Sequence, residues 1–232
     1  MPIYQLPDDV IFPNPELANT NGLLAVGGDL SPERLVTAYR TGIFPWFSDD
    51  SPDIMWWSPD PRMVLYPDKF KLSKSLRRRI TREEFDVRID TAFEQVIVEC
   101  SRVPRDGQNG TWLTAEMQEA YVKIHKLGLA HSVECWQEGR LVGGLYGLSL
   151  GRLFFGESMF HLVSDASKVA FYALAQVAKK LNFSFIDCQM HTDHLESLGA
   201  EEMSRSTYLE HVFSNNDLET QQGQWTDLGL LK

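Results

Sequence analysis

The chain has no uninterrupted apolar run approaching the ~20 residues needed to cross a bilayer. Residues 1–15 mix prolines with Asp8 and Asp9 where a secretory leader would carry an apolar core. Both absences lead to the expectation of a cytoplasmic chain with no membrane partner. Cysteine is scarce: Cys100, Cys135 and Cys188 are odd in number and far apart, which excludes a disulfide framework and fits idle or buried thiols. Internal repeats and low-complexity tracts are also missing. Positive charge is in short supply, with 22 Lys and Arg against 32 Asp and Glu and a net charge of −10, and this by itself argues against a nucleic-acid partner. The shortage is uneven. Seven basic residues (Lys69, Lys71, Lys74, Arg77, Arg78, Arg79 and Arg82) fall together with no acid among them, so the rest of the chain carries −17. One basic patch sits on an acidic body.

What is present is enough for a substantial core: 232 residues, 43% of them hydrophobic, fill one large domain or a small domain packed on a medium one. The first sixty residues are rich in Pro, Gly and Trp and read as turns around one helix over about residues 32–41. Ser31 is its N-cap, Pro32 its first residue and Gly42 its left-handed C-terminal cap. In Phe44-Pro45-Trp46-Phe47 and Trp56-Trp57-Ser58-Pro59-Asp60-Pro61-Arg62, prolines and aromatics alternate too densely for regular structure. The domain boundary is placed near Arg62, giving a small N-terminal domain (1–62) and a larger one (63–232).

Beyond it the pattern becomes helical and then strand-like. Leu72, Leu76 and Ile80 recur every four residues, which gathers Lys71, Lys74, Arg78 and Arg82 on another helix face. Helices are expected over about residues 91–102 and 115–127, and a three-strand meander over about 131–136, 141–150 and 152–160. A long helix (165–181), a strand (184–190) and terminal helices follow. This is an α+β order with a mixed, mainly antiparallel sheet flanked by helices, and it resembles acyltransferases of the GNAT type. Those enzymes hold acyl-CoA pyrophosphate on a glycine-containing loop at the start of the helix after the meander. The equivalent stretch here, His161-Leu162-Val163-Ser164-Asp165-Ala166, has no glycine and carries a carboxylate. An acyl-CoA donor is therefore disfavoured.

Several strings resemble the leucyl/phenylalanyl-tRNA-protein transferase family and run in its order over nearly the whole chain. They are the run from Asn21 through Gly27-Gly28-Asp29-Leu30, then Gly42-Ile43-Phe44-Pro45-Trp46-Phe47, the Trp56 to Arg62 string, Gly110-Thr111-Trp112, Gly156-Glu157-Ser158-Met159-Phe160, Ala166-Ser167-Lys168 and Ile186-Asp187-Cys188-Gln189. The resemblance implies an enzyme that moves Leu or Phe, and less well Met, from aminoacyl-tRNA to proteins beginning with Arg or Lys, marking them for degradation. It also implies a small N-terminal domain on a GNAT-like catalytic domain, and a donor pocket that places Leu145, Phe154, Phe171, Leu174 and Ile186 around the transferred side chain. The polar stretch from about residue 215 carries no matching string.

Such a reaction is attack of an α-amine on an activated ester. An α-amino group titrates near about 7.7 to 8, so part of it is already the neutral nucleophile near neutrality, and the site needs orientation and oxyanion support more than a strong base. Asp187 and Gln189, two apart on an expected strand, should emerge on one face and converge. Glu157, a carboxylate in an apolar strand, should meet a cation: either the basic side chain or ammonium of the acceptor, or an internal group such as Lys168. Trp46 and Trp112 either pack a small core or stack the terminal adenosine of the tRNA, the choice the resemblance favours, whereas Trp56 and Trp57 are expected in the core. The Lys71, Lys74, Arg78 and Arg82 face either is a solvated helix surface or holds acceptor-stem phosphates, and its segregation from an acidic remainder favours phosphate. Cys188, His191 and His194 fit no common metal spacing, so no metal or other cofactor is expected. A monomer is expected. The rival readings are a CoA-dependent acetyltransferase-like enzyme, a noncatalytic tRNA-binding module, and an aminoacyl-tRNA-dependent peptidoglycan transferase.

Overall fold

A computed structural model describes residues 2–48, 51, 53–103 and 113–229. The N-terminal region forms a sheet of β1 (Tyr4–Leu6), β2 (Leu23–Gly27), β3 (Phe44–Pro45) and β4 (Met55–Trp57) in the order β1-β2-β4-β3, with α1 (Pro32–Arg40) between β2 and β3. Ser31 Oγ accepts the Arg34 N–H at 3.3 Å, Pro32 lies in the first turn, and Gly42 follows at φ +77°, as the residue types require. The two aromatic segments expected to be irregular instead supply β3 and β4. Pro45 is tolerated because β3 is an edge strand, where a missing N–H costs no ladder bond. The indoles anchor the pairing: Trp56 Nε1 donates to Gly27 O at 2.8 Å and Trp57 Nε1 to Trp46 O at 2.6 Å.

The second sheet has seven strands: β5 (Arg62–Leu65), β6 (Asp86–Ile89), β7 (Ala130–Gln137), β8 (Arg140–Leu150), β9 (Leu153–His161), β10 (Phe185–Gln189) and β11 (Glu201–Met203). Their order is β11-β5-β10-β9-β8-β7-β6, antiparallel throughout except for the parallel pair β9 and β10. The expected meander is β7 to β9, turned by Glu138 and Gly139 at φ +51° and +73° and by Gly151 at +57°. Strands β5, β6 and β11 were not legible: each has only three or four residues, too few for a two-residue period to register.

The helices are α2 (Lys74–Thr81), α3 (Phe93–Ser101), α4 (Ala115–Lys126), α5 (Ala166–Lys180), α6 (Asp193–Ser197) and α7 (Arg205–Asn215), none of them long and apolar enough to cross a membrane. The basic helix starts later than expected. Ser73 caps it by accepting the Leu76 N–H at 3.2 Å, while the Lys71 N–H is committed to Leu198 O at 2.8 Å, so Lys71 precedes the helix.

Alternation along the strands divides the core in two. Val64, Leu148, Phe155 and Phe185 pack with the N-terminal region, α3, α4 and α7, whereas Met63, Leu65, Leu145, Phe154 and Ile186 pack with α5 and Trp225. Trp225, from the polar tail, stacks on His131 with ring centroids 3.9 Å apart, and its backbone N–H donates to Asp90 Oδ2 at 2.8 Å. Buried Asp90 also bonds His131 Nδ1 at 2.8 Å and the Ser132 N–H at 2.9 Å. Burial pushes the His131 imidazole below its ordinary value, against the pull of Asp90.

Candidate active site

The parallel pairing of β9 and β10 runs Phe185 to Leu153, Ile186 to Phe154 and Asp187 to Phe155, and there it ends. Beyond that point β9 continues through Gly156, Glu157 and Ser158 and β10 through Cys188 and Gln189, and both line a cavity of about 260 Å³. Its apolar wall is Leu145, Phe171, Leu174 and Ile186, on the α5 side of the sheet, and Leu195 completes it. Glu157 and Asp187 bond to groups from the opposite side. The opening thus joins an oily slot to buried carboxylates.

Asp187 is fully buried and both of its oxygens are used. Arg62 Nε donates to Oδ1 at 2.9 Å and Nη2 to Oδ2 at 2.6 Å, and the Tyr208 hydroxyl donates to Oδ2 at 2.8 Å. The Arg62 guanidinium, equally buried, lies 4.6 Å from the ring centroids of both Phe44 and Tyr208. Burial works against this cation, and the charge of Asp187 more than offsets it, so its pKa is raised.

Asp187 Oδ1 also accepts the Gln189 backbone N–H at 2.8 Å. The register against β5 slips between Asp187 and Gln189, and Gln189 adopts φ +64°, a conformation unusual for a residue with a side chain. This corrects the expectation of two side chains emerging in parallel from a regular strand. The bulge turns Gln189 so that its Nε2 donates to Glu157 Oε1 at 2.8 Å. Gln189 is held from both ends, by one carboxylate at its backbone and another at its side chain.

Glu157 is 9% exposed, and among the described residues no Lys or Arg side chain bonds to it. Tyr39 donates to Oε1 at 2.6 Å, Tyr121 to Oε2 at 2.8 Å, and the two phenol oxygens lie 2.6 Å apart. Lys168, the internal candidate, pairs with Asp165 at 2.9 Å. Burial pushes the Glu157 carboxyl up to about 7, with the phenols pulling the other way. Burial together with the Glu157 charge raises both phenols well above their usual range.

Not every expected residue joins the site. Phe154 lies one pairing step before the opening; its ring fills the space beside Gly147, where a Cβ would stand 2.6 Å from it, and so it packs in the core instead of lining the cavity. Trp46 is half-buried against Trp57, with centroids 5.5 Å apart, and does not line the cavity. Trp112 lies outside the described residues. Trp56 is in the core, as expected. Lys71, Lys74, Arg78 and Arg82 are exposed and form no ion pair with any described carboxylate, whereas Arg79 pairs with Glu84 and Asp165. At the start of α5, where a pyrophosphate cradle was not expected, the protein's own Asp165 carboxylate meets Lys168 and Arg79, and these bonds, Lys168 first, hold it below its ordinary range. Of Cys188, His191 and His194, only His191 falls, among the described residues, in a group that could hold a metal ion, with exposed Asp193 and Glu196.

The contributors that sequence reasoning missed are Arg62, Tyr39, Tyr121 and Tyr208. Arg62 stood inside a quoted string without a role, and a lone tyrosine on an apolar helix face reads as core; nothing local distinguishes Tyr39 from its neighbours.

The family profile described as "Leucyl/phenylalanyl-tRNA protein transferase" matches residues 64–213, and the profile of that family's N-terminal domain matches residues 28–60. The chain belongs to this family. Relatives named leucyl/phenylalanyl-tRNA–protein transferase include one from Desulfatibacillum aliphaticivorans, 52% identical over 97% of this chain and 97% of its own. One from Myxococcus xanthus is 55% identical over 98% and 97%, and one from Maridesulfovibrio salexigens is 54% identical over 97% and 94%. The solved structure of L-PGS from Bacillus licheniformis is similar at a TM-score of 0.41 and 14% identity, over 73% of this chain and 54% of that one, and at that level carries nothing about activity. The family is one of aminoacyltransferases, and the cavity is the place in this member where a carboxylate-flanked amide meets an apolar slot.

Proposed function

We propose that this transferase moves Leu or Phe, and less well Met, from aminoacyl-tRNA to the N-terminal α-amine of proteins beginning with Arg or Lys, marking them for degradation. It works in the cytoplasm as a monomer, its chain divided near Arg62 into a small N-terminal and a larger catalytic domain. The observation that carries this reading is the slot of Leu145, Phe171, Leu174 and Ile186 opening directly beside Gln189, Glu157 and Asp187. A slot of about 260 Å³ suits one apolar side chain and not a nucleotide. Because the Gln189 amide nitrogen is spent on Glu157, its oxygen is left to accept from the incoming amine, which is partly neutral near neutrality. Asp187, charge-matched by Arg62, positions Gln189 through its backbone. Trp46 and Trp112 stack the terminal adenosine, and Lys74, Arg78 and Arg82, with Lys71 before them, hold acceptor-stem phosphates.

The test is incubation of the purified protein with labelled Leu-tRNA and two peptides that differ only in an N-terminal Arg or acetyl-Arg. Label enters only the free-amine peptide. Label in neither, with both substrates intact, ends this reading.

A further inference from the structure

Hydrogens can be counted around Glu157. Three oxygen–oxygen contacts join Tyr39 to Tyr121 (2.6 Å), Tyr39 to Glu157 Oε1 (2.6 Å) and Tyr121 to Glu157 Oε2 (2.8 Å), and each is short enough to require a hydrogen between its atoms. The two phenols bring only two hydrogens. With Glu157 ionised, both would point at the carboxylate and leave the phenol oxygens facing each other with lone pairs alone. A third hydrogen on the carboxyl closes the ring: Tyr39 donates to Tyr121, Tyr121 to Oε2, and the Oε1 hydroxyl to Tyr39. Oε1 still has a lone pair for the Gln189 amide N–H.

The surroundings favour that third proton. Arg62, the cation of this cluster, is already matched by Asp187, whose remaining partners are the Tyr208 hydroxyl and the Gln189 N–H. Facing Glu157 from α1 and α4 are two phenols, and from β10 the Gln189 amide, all uncharged groups. Burial, the largest cause, and the Asp187 charge work against a second negative charge and outweigh the hydrogen bonds from the phenols and the pull of Arg62. Cys188 beside them is itself pushed up by burial and adds no charge.

We propose that Tyr39, Tyr121 and Glu157 form a proton store, in which Glu157 is the acid–base catalyst of the transfer and the two tyrosines are its positioning residues. This rests on the aminoacyl transfer proposed above. In the step, the bond from the amine nitrogen to the donor carbonyl forms and the ester C–O bond breaks. The Glu157 carboxyl proton passes to the departing ribose oxygen, and the proton lost by the amine nitrogen replaces it. The ring ends as it began, with no proton taken from or given to solvent.

Two measurements on the full chain test this. Infrared difference spectroscopy without substrates, wild type against Glu157→Gln at about pH 6, should show a protonated-carboxyl band that titrates away through about 7. The pH profile of kcat/KM for transfer from Leu-tRNA to an Arg peptide, expressed per neutral peptide amine, should show a descending limb at the same pH. Glu157→Gln should lower the rate at least about a hundredfold and abolish the limb. Tyr39→Phe and Tyr121→Phe should displace both the band and the limb while charged-tRNA binding is retained, and they serve alone if Glu157→Gln does not fold. Absence of the band overturns the ring. A band with a limb unmoved in all three variants overturns the catalytic role. A wild type that transfers no amino acid at all overturns the function and this role with it, while the band still decides the ring.

Discussion

Two buried carboxylates flank Gln189, and they are held in opposite ways. Asp187 is gripped by a guanidinium, a phenol and a backbone N–H, Glu157 by two phenols and an amide. Counter-charge decides what each is for. A carboxylate matched in a bidentate ion pair is a fixed strut, since moving a proton onto it would leave Arg62 an unmatched buried cation. One surrounded by neutral donors has its ionisation near neutrality, where a modest change in surroundings moves its proton. In the transfer proposed above, aligning the amine and handling its proton are thereby divided between the two groups.

The sharpest way to break this contrast is to remove the cation. Arg62→Met should destabilise the fold by about 3 to 5 kcal/mol in urea unfolding, because it strands Asp187 without a partner. Adding Asp187→Leu should recover part of the loss, and a single variant as stable as wild type would mean that Asp187 is not held as a strut. Next in size is the pH dependence of stability. The Glu157 carboxyl rises from 4.5 to about 7 on folding, so the folded state binds that proton more tightly. Its contribution is full below about 4.5 and is lost as pH rises through about 7, on the order of 3 kcal/mol at most. Glu157→Gln should therefore gain stability relative to wild type across that window, as read by unfolding at both ends; a pH-independent difference would place the titration elsewhere.

Smaller effects belong to regions outside the pair. Leu174→Ala, which widens the slot without touching either carboxylate, should raise the kcat/KM ratio of Phe-tRNA to Leu-tRNA by about tenfold. It should leave the descending limb of the pH profile where it was. Replacing Lys74, Arg78 or Arg82 with Gln should lower the slope of log affinity for tRNA against log salt by about 1 each, with transfer rate at saturation unchanged.

Much of the site was legible because its chemistry is local. Glu157 stands out as a carboxylate in an apolar strand and Asp187 and Gln189 as a polar pair two apart, while the family resemblance pointed to Leu145 and Ile186, which line the cavity. What escaped was set by long-range packing. The hydroxyls on Glu157 come from positions 118 and 36 residues earlier, and the guanidinium on Asp187 from 125 residues earlier. No spacing rule links such positions. The bulge at Gln189 was equally hidden, because an ordinary strand sequence carries no mark of a positive φ that is sustained by one side-chain bond to Asp187. The meander and long helix were readable from periodicity; the two short aromatic strands and Trp225 were not, since indole contacts across the chain override the local reading of Pro-rich and polar stretches.

Tyr39 belongs to α1, inside the N-terminal sheet region, whereas Tyr121 and Glu157 come from the larger part of the chain. A fragment beginning near residue 63 would keep the oily slot and Gln189, yet it would lack one of the three members of the hydrogen-bonded ring and also the guanidinium at position 62. Glu157 would titrate as a different acid. In the proton store proposed above, the first sixty residues thus act as a reagent as well as a scaffold, and exchanging them for those of a relative should retune the working pH without altering any residue on the cavity wall.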